Sequence, residues 1–139
     1  MQTFLPYPCF AKSLACLDYQ RLNKQRIEAS HIYKIITGLD PDSRWRNHPA
    51  VNMWRGFPDV LGLYYNLVIR EWKSRGYKNN MNLIMIPPIP PQMPKWLGRQ
   101  DFHASHRSNL LRKDPEFYGK YGWIEPPDLP YVWPINKRT

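Results

Sequence analysis

An all-α fold is the prediction, and three observations carry it. Apolar residues recur at helical spacing in separated stretches, those stretches are closed by glycine or proline, and the segments between them are irregular and proline-rich. With 139 residues the chain can bury a core without metal or disulfide support. We read residues 1–139 as a single compact helical domain of three to four helices, with a proline-rich connector and an irregular aromatic C-terminal segment.

Residues 1–12 read as an extended arm, because Pro6 and Pro8 oppose helix. The first helix should run from Ser13 or Asp18 to Thr37, with Gly38 just past its end. Leu22, Ala29, Ile32, Tyr33 and Ile36 fall on one face as its core stripe. A second stripe holds Arg21, Lys24, Glu28 and His31, which lodges one carboxylate among cations. It reads either as a solvated face with i,i+4 pairing or as a catalytic, phosphate-binding face. In "WRNHPAVNMWRG" Pro49 suits the first turn of a short helix and Gly56 its end. Val51, Met53 and Trp54 cannot all share one side of it, which leaves apolar surface beside a site.

"FPDVLGLYYNLVIREWKSRG" starts with Pro58 and closes with Lys73, Arg75 and Gly76. Its wide stripe (Val60, Leu61, Tyr64, Leu67, Val68, Trp72) marks the central core helix. Residues 77–99 contain "IPPIPPQMP", which cannot be helix and should wrap the core as a rigid connector. A last helix should start at Asp101 as N-cap and end before Pro115. The aromatic, proline-rich stretch from there to Trp133 argues against further regular structure.

Lysine plus arginine number 20 against 11 acidic residues, a formal charge of +9. Such a chain suits an anionic partner, and its 14% aromatic content beside those cations suits nucleic acid. No apolar run approaches the ~20 residues of a membrane span. The N-terminus has neither basic n-region nor apolar h-region, so an intracellular rather than secreted protein is expected, in cytoplasm, nucleoid, nucleus or virion. Cys9 and Cys16 lack C-x-x-C spacing and read as reduced thiols.

On the last helix His103, His106, Arg107 and Leu110 share a face. No acidic or cysteine partner follows the histidines at usable spacing, so phosphate contact alongside Arg112 and Lys113 is the favoured reading and no metal is expected. A metal-dependent nuclease built on His48, His103 and His106 is the weakest alternative. P-loop, GxGxxG, Gx-Ser-xG and HExxH motifs are all missing, which leaves cofactor-free amine or acid–base chemistry. An α-amine (unperturbed pKa ~7.7–8.0) is a better nucleophile near neutrality than lysine (~10.4) and can form an imine with a sugar carbon.

Taken together, "MQTFLPY", "RLNKQRIEA", "NHPAVNMWRG" and "HASHRSNLLRKDPEFYGKYGW" resemble a distant branch of the pyrimidine-dimer DNA glycosylase family, the phage endonuclease V family, over nearly the whole chain. The resemblance implies an all-α repair enzyme that uses its N-terminal amine to displace a damaged base, forms an imine at C1′ and cleaves by β-elimination. It implies a first-helix glutamate that assists. It also implies cations of the first and last helices that grip phosphates, and an aromatic lip (Tyr118, Tyr121, Trp123) near the lesion.

Two departures shape the assignment. Gln2 stands where the family has a small residue that permits removal of the initiator, so the free amine should be that of Met1, and of Gln2 only if Met1 is removed. Arg21 is followed by Leu22 rather than by the family's glutamate, which makes Glu28 the substitute. Met1, Gln2 and Glu28 are thus the catalytic candidates. Arg21, Lys24, Arg26, His48, Arg55, His103, His106, Arg107, Arg112 and Lys113 join the aromatic lip as candidate DNA contacts. The expected partner is damaged double-stranded DNA, met by a monomer without cofactor or obligate protein partner. The alternative is a catalytically inactive DNA-binding protein of the same fold.

Overall fold

The periodic apolar stretches form three long helices in the computed structural model, which describes residues 1–134. In chain order the elements are α1 (Phe10–Ala15), α2 (Tyr19–Ile36), α3 (Pro49–Asn52), α4 (Pro58–Ser74), α5 (Gln100–Lys113) and α6 (Pro115–Tyr118). A 3₁₀ turn follows at Gly119–Tyr121. Among the described residues there is no strand.

Helices α2 and α4 pack against each other most extensively. The buried stripe of α2 is Leu22, Gln25, Ala29, Ile32 and Ile35, so Tyr33 and Ile36 sit at its edge rather than in it. On α4 the stripe is Val60, Leu61, Tyr64, Val68 and Trp72, widened by Tyr65 and Ile69. Gly38, at φ +85°, ends the first long helix as its place after Thr37 requires of a residue without Cβ.

The proline-rich segment lies along α4, as expected of a connector. Asn66 fixes it by pairing both ways with the Ile84 backbone, each bond 2.8 Å, and the Tyr65 hydroxyl donates to the Asn82 carbonyl at 2.7 Å. Gly62 lets the connector approach: a Cβ there would meet Ile86 Cδ1 at 2.5 Å.

Four local features differ from the sequence expectation. Helix begins at Phe10, inside the supposed arm, because Phe10 and Leu14 bury together one turn apart and Ser13 Oγ closes the preceding turn on Tyr7. Val51, Met53 and Trp54 are all buried, because α3 ends after four residues and the turn behind it carries Met53 and Trp54 inward. Arg99, not Asp101, is the N-cap of α5. Asp101 sits in the first turn, where its carboxylate accepts from Phe102 N and from Arg99 near the positive end of the helix. Past Pro115 the chain does form α6 and a 3₁₀ turn. Pro115 fills the first helical position and the Asp114 side chain caps Phe117 N at 3.2 Å.

Candidate active site

Residues 2–6 are buried and lie outside any helix, and among the described residues no sheet is present to take up their backbone polar groups. Each such group must therefore find a partner elsewhere. Side chains supply them. The N–H groups of Gln2, Thr3, Phe4 and Leu5 donate in turn to Glu28 Oε2 (3.0 Å), Gln2 Oε1 (2.9 Å), Gln25 Oε1 (3.0 Å) and His106 Nδ1 (2.8 Å). The carbonyls of Gln2, Phe4, Leu5 and Pro6 accept from Gln25 Nε2, Tyr64 Oη, His103 Nδ1 and Arg107 Nη1. Trp54 Nε1 adds a bond to Thr3 Oγ1. The start of the chain is thus threaded between α2, α4 and α5 and held in one register.

That register delivers Met1 to a cleft of about 270 Å³ lined by Met1, Gln2, Phe4, Gln20, Arg21, Lys24, Gln25, Glu28, Lys113 and Tyr131. Five of the predicted stripe and terminal residues (Met1, Gln2, Arg21, Lys24, Glu28) therefore meet in one place, joined by Lys113 from the far end of α5. Glu28 is anchored by the Gln2 N–H, so its carboxylate is directed at the first residues of the chain. Arg21 is braced by Asp18 at 3.2 Å, and Asp18 in turn takes the Tyr118 hydroxyl. Burial pushes the Lys113 amine below its ordinary value, and the neighbouring Arg21, Arg112 and Lys24 push the same way. Burial also lowers His48. The terminal ammonium acts in the same direction and Glu28 against it, so His48 lies within electrostatic reach of both.

Not every candidate reaches this cleft. His103 and His106 are 1% and 0% exposed, which withdraws them from direct phosphate contact. Their work is internal: His103 Nε2 accepts from Gly98 N at 2.9 Å, so its Nδ1–H donates to Leu5 O, while His106 accepts from Leu5 N. Burial pushes His106 down to about 3, with His103 and Arg107 adding to the effect, which keeps it neutral and able to accept. Arg107 is spent on Glu125 (2.5 Å) and the Pro6 carbonyl. Arg112 is bonded to Asn109. Arg26 lies over the Trp72 ring and bonds Asn23 and Asn79, and Arg55 bonds Asn52 and the Arg46 carbonyl. Neither lines the cleft.

The aromatic lip is packed rather than free. Tyr118 is fully buried and stacks on Trp123 at 5.7 Å and 11°; Tyr121 stacks on Trp123 at 5.3 Å and donates to Cys16 O. Trp123 Nε1 donates to Tyr7 Oη, so the lip braces the segment leading into α1. Among the described residues no three His, Cys, Asp or Glu side chains form a metal-binding group.

Sequence reasoning missed Gln25 and Tyr131. Gln25 carried a signal: it is the one polar residue on the apolar stripe between Leu22 and Ala29, and it holds the arm at Gln2 and Phe4. Tyr131 carried none, since it comes from irregular chain. One group in the cleft stands out energetically. The Gln2 Nε2 is buried with no hydrogen-bond acceptor among the described residues, a state that costs about 1–3 kcal/mol.

Among known proteins, the family model of pyrimidine dimer DNA glycosylase matches residues 1–85. No curated protein and no solved structure gives a significant match.

Proposed function

The chain belongs to the pyrimidine dimer DNA glycosylase family, and from that premise we propose that its N-terminal cleft excises a damaged pyrimidine from double-stranded DNA and then cleaves the strand at the resulting abasic site. The nucleophile is the α-amine of Met1. Its lone pair forms a bond to C1′ of the damaged nucleotide as the C1′–N1 bond breaks, and the amine passes one proton to the departing base. The nitrogen lone pair then opens the sugar ring, O4′ takes up a proton, and a protonated imine remains. Loss of a C2′ proton expels the 3′-phosphate by β-elimination.

Glu28 is the group placed to move these protons and to stabilise the cationic imine. Arg21, Lys24 and Lys113 supply phosphate contacts around it. The observation that carries this reading is the meeting of Met1 and Glu28 in one cationic cleft, with Glu28 bonded to the backbone next to the amine. We take residues 1–139 to act as one domain, since the cleft draws on both α2 and the end of α5.

Lys113 is a second amine on the same cleft with a lowered proton affinity, so the test must tell the two apart. Borohydride trapping on abasic-site duplex should give a covalent adduct, and peptide mapping should place it on Met1. An adduct on Lys113 would overturn the α-amine assignment. Salt-sensitive DNA binding with no adduct at all would make the chain a DNA-binding member without catalysis.

A further inference from the structure

We infer that the Gln2 carboxamide is a leaving-group donor: its Nε2–H binds the O2 carbonyl of the damaged pyrimidine and stabilises the charge that collects there as the base departs. This rests on the amine reading above and extends it to a residue which that reading leaves without a side-chain role.

Three observations converge. Gln2 is only 6% exposed and lines the cleft. Its Oε1 is held by the Thr3 N–H at 2.9 Å, so the amide is not free to flip and its NH2 end is the one left to bind. That NH2 end meets no acceptor at hydrogen-bond geometry among the described residues, while it still acts on the Tyr131 hydroxyl, lowering its proton affinity against the effect of burial. Unlike the buried His106 Nε2, which also meets no partner but does not line the cleft, the Gln2 donor belongs to a residue that does, where a ligand can supply the acceptor.

The chemistry names the acceptor. In a pyrimidine nucleotide O2 is separated from the attacked C1′ only by N1 and C2, whereas O4 lies across the ring. When the C1′–N1 bond breaks, its electron pair passes to N1 and spreads onto O2, until the proton from the amine neutralises the base. Gln2 is covalently next to the attacking residue, so a donor there meets O2 rather than the far edge. The lysines of the cleft suit phosphates as rotatable point charges, and the directional guanidinium of Arg21 is engaged with Asp18, whereas the Gln2 carboxamide is fixed and its donor is uncommitted. A preorganised donor of this type is worth about a hundredfold or more in rate.

The test uses Gln2→Glu and Gln2→Met. Both keep a bulky second residue, so Met1 is retained, which intact mass verifies, and circular dichroism checks the fold. Gln2→Glu preserves an acceptor for Thr3 N and replaces the donor by a carboxylate, and Gln2→Met removes the donor without that added charge. Two rates are compared: excision from a panel of duplexes carrying a thymine dimer or another damaged pyrimidine that retains O2, and borohydride trapping on abasic-site duplex, where no base leaves. The ratio of excision to trapping should fall about a hundredfold in both variants. An unchanged ratio in Gln2→Glu overturns the inference, as does a wild-type protein that traps abasic sites yet excises nothing in the panel. A wild-type protein that traps no abasic site sinks the amine reading itself, a distinct result that takes this inference with it.

Discussion

Two faces of the molecule look alike in sequence and behave as opposites in the fold. The α2 stripe (Arg21, Lys24, Glu28) and the α5 stripe (His103, His106, Arg107) each set ionisable side chains at helical spacing. On α2 they open onto a cleft. On α5 they turn inward and satisfy the backbone of residues 5 and 6. What separates them is the neighbour. The extended arm has polar backbone groups that no sheet serves, and α5 lies where those groups need partners. Glu28 also takes a backbone N–H of the arm, that of Gln2, so the contrast is one of degree: α2 keeps Arg21 and Lys24 on the cleft, whereas α5 commits both histidines and Arg107 to the arm.

The strongest test of this contrast is Glu28→Gln. Single-turnover strand cleavage should fall by about 10²–10⁴-fold while DNA affinity holds, the range expected for a lost acid–base group. A drop below tenfold would remove Glu28 from the chemistry and make α2 another structural face. On α5 the matching change is His106→Ala, which strands the Leu5 N–H and opens a void. Denaturant unfolding should lose about 3 kcal/mol. A loss under ~0.5 kcal/mol, the size of an ordinary surface change, would return His106 to the surface.

Acid probes the same face more gently. His106 titrates at about 3 in the fold against an ordinary value of 6.5, so between those limits the unfolded chain binds a proton that the folded one refuses. Stability is then fully present above pH 6.5 and falls as pH drops. From pH 7 to 5 the loss should be about 2 kcal/mol, read as a lower midpoint in urea, and His106→Leu should abolish most of that slope. A flat profile over that range would contradict the buried neutral imidazole.

The smallest effects concern DNA grip. Lys24→Ala and Lys113→Ala should each lower the slope of log affinity against log salt by about 1, while Arg26→Ala and Arg55→Ala, tied to asparagines and backbone away from the cleft, should change it by well under half that. Equal slopes for the two pairs would mean that the DNA footprint ignores the cleft.

Much of this was legible beforehand. The α2 and α4 stripes are long and periodic enough that burial of one face follows from spacing, and Glu28 among cations is visible on the same wheel. Of the short pieces, α3 was announced by Pro49, whereas α1 and α6 were not legible, because each rests on a single buried pair or cap rather than on periodicity. The inward turn of His103 and His106 was least legible of all. Their partner is Leu5 backbone, and a backbone N–H or carbonyl leaves no residue-specific mark in a sequence.

The bond from Leu5 to His106 spans 101 positions, and Tyr118 to Asp18 spans 100. Closing so large a loop is entropically costly and slow, and nothing repays it until α5 has docked. During synthesis Met1, Glu28, Arg21 and Lys24 emerge early, within the stretch that matches the family, ahead of Lys113 and Tyr131. The cleft is complete only when Lys113 and Tyr131, from the last part of the chain, join the residues of the arm and α2. On the reading proposed above, a polypeptide cut short before α5 would carry Met1 and Glu28 without the arm's bonds to α5 and without two of the residues that line the cleft.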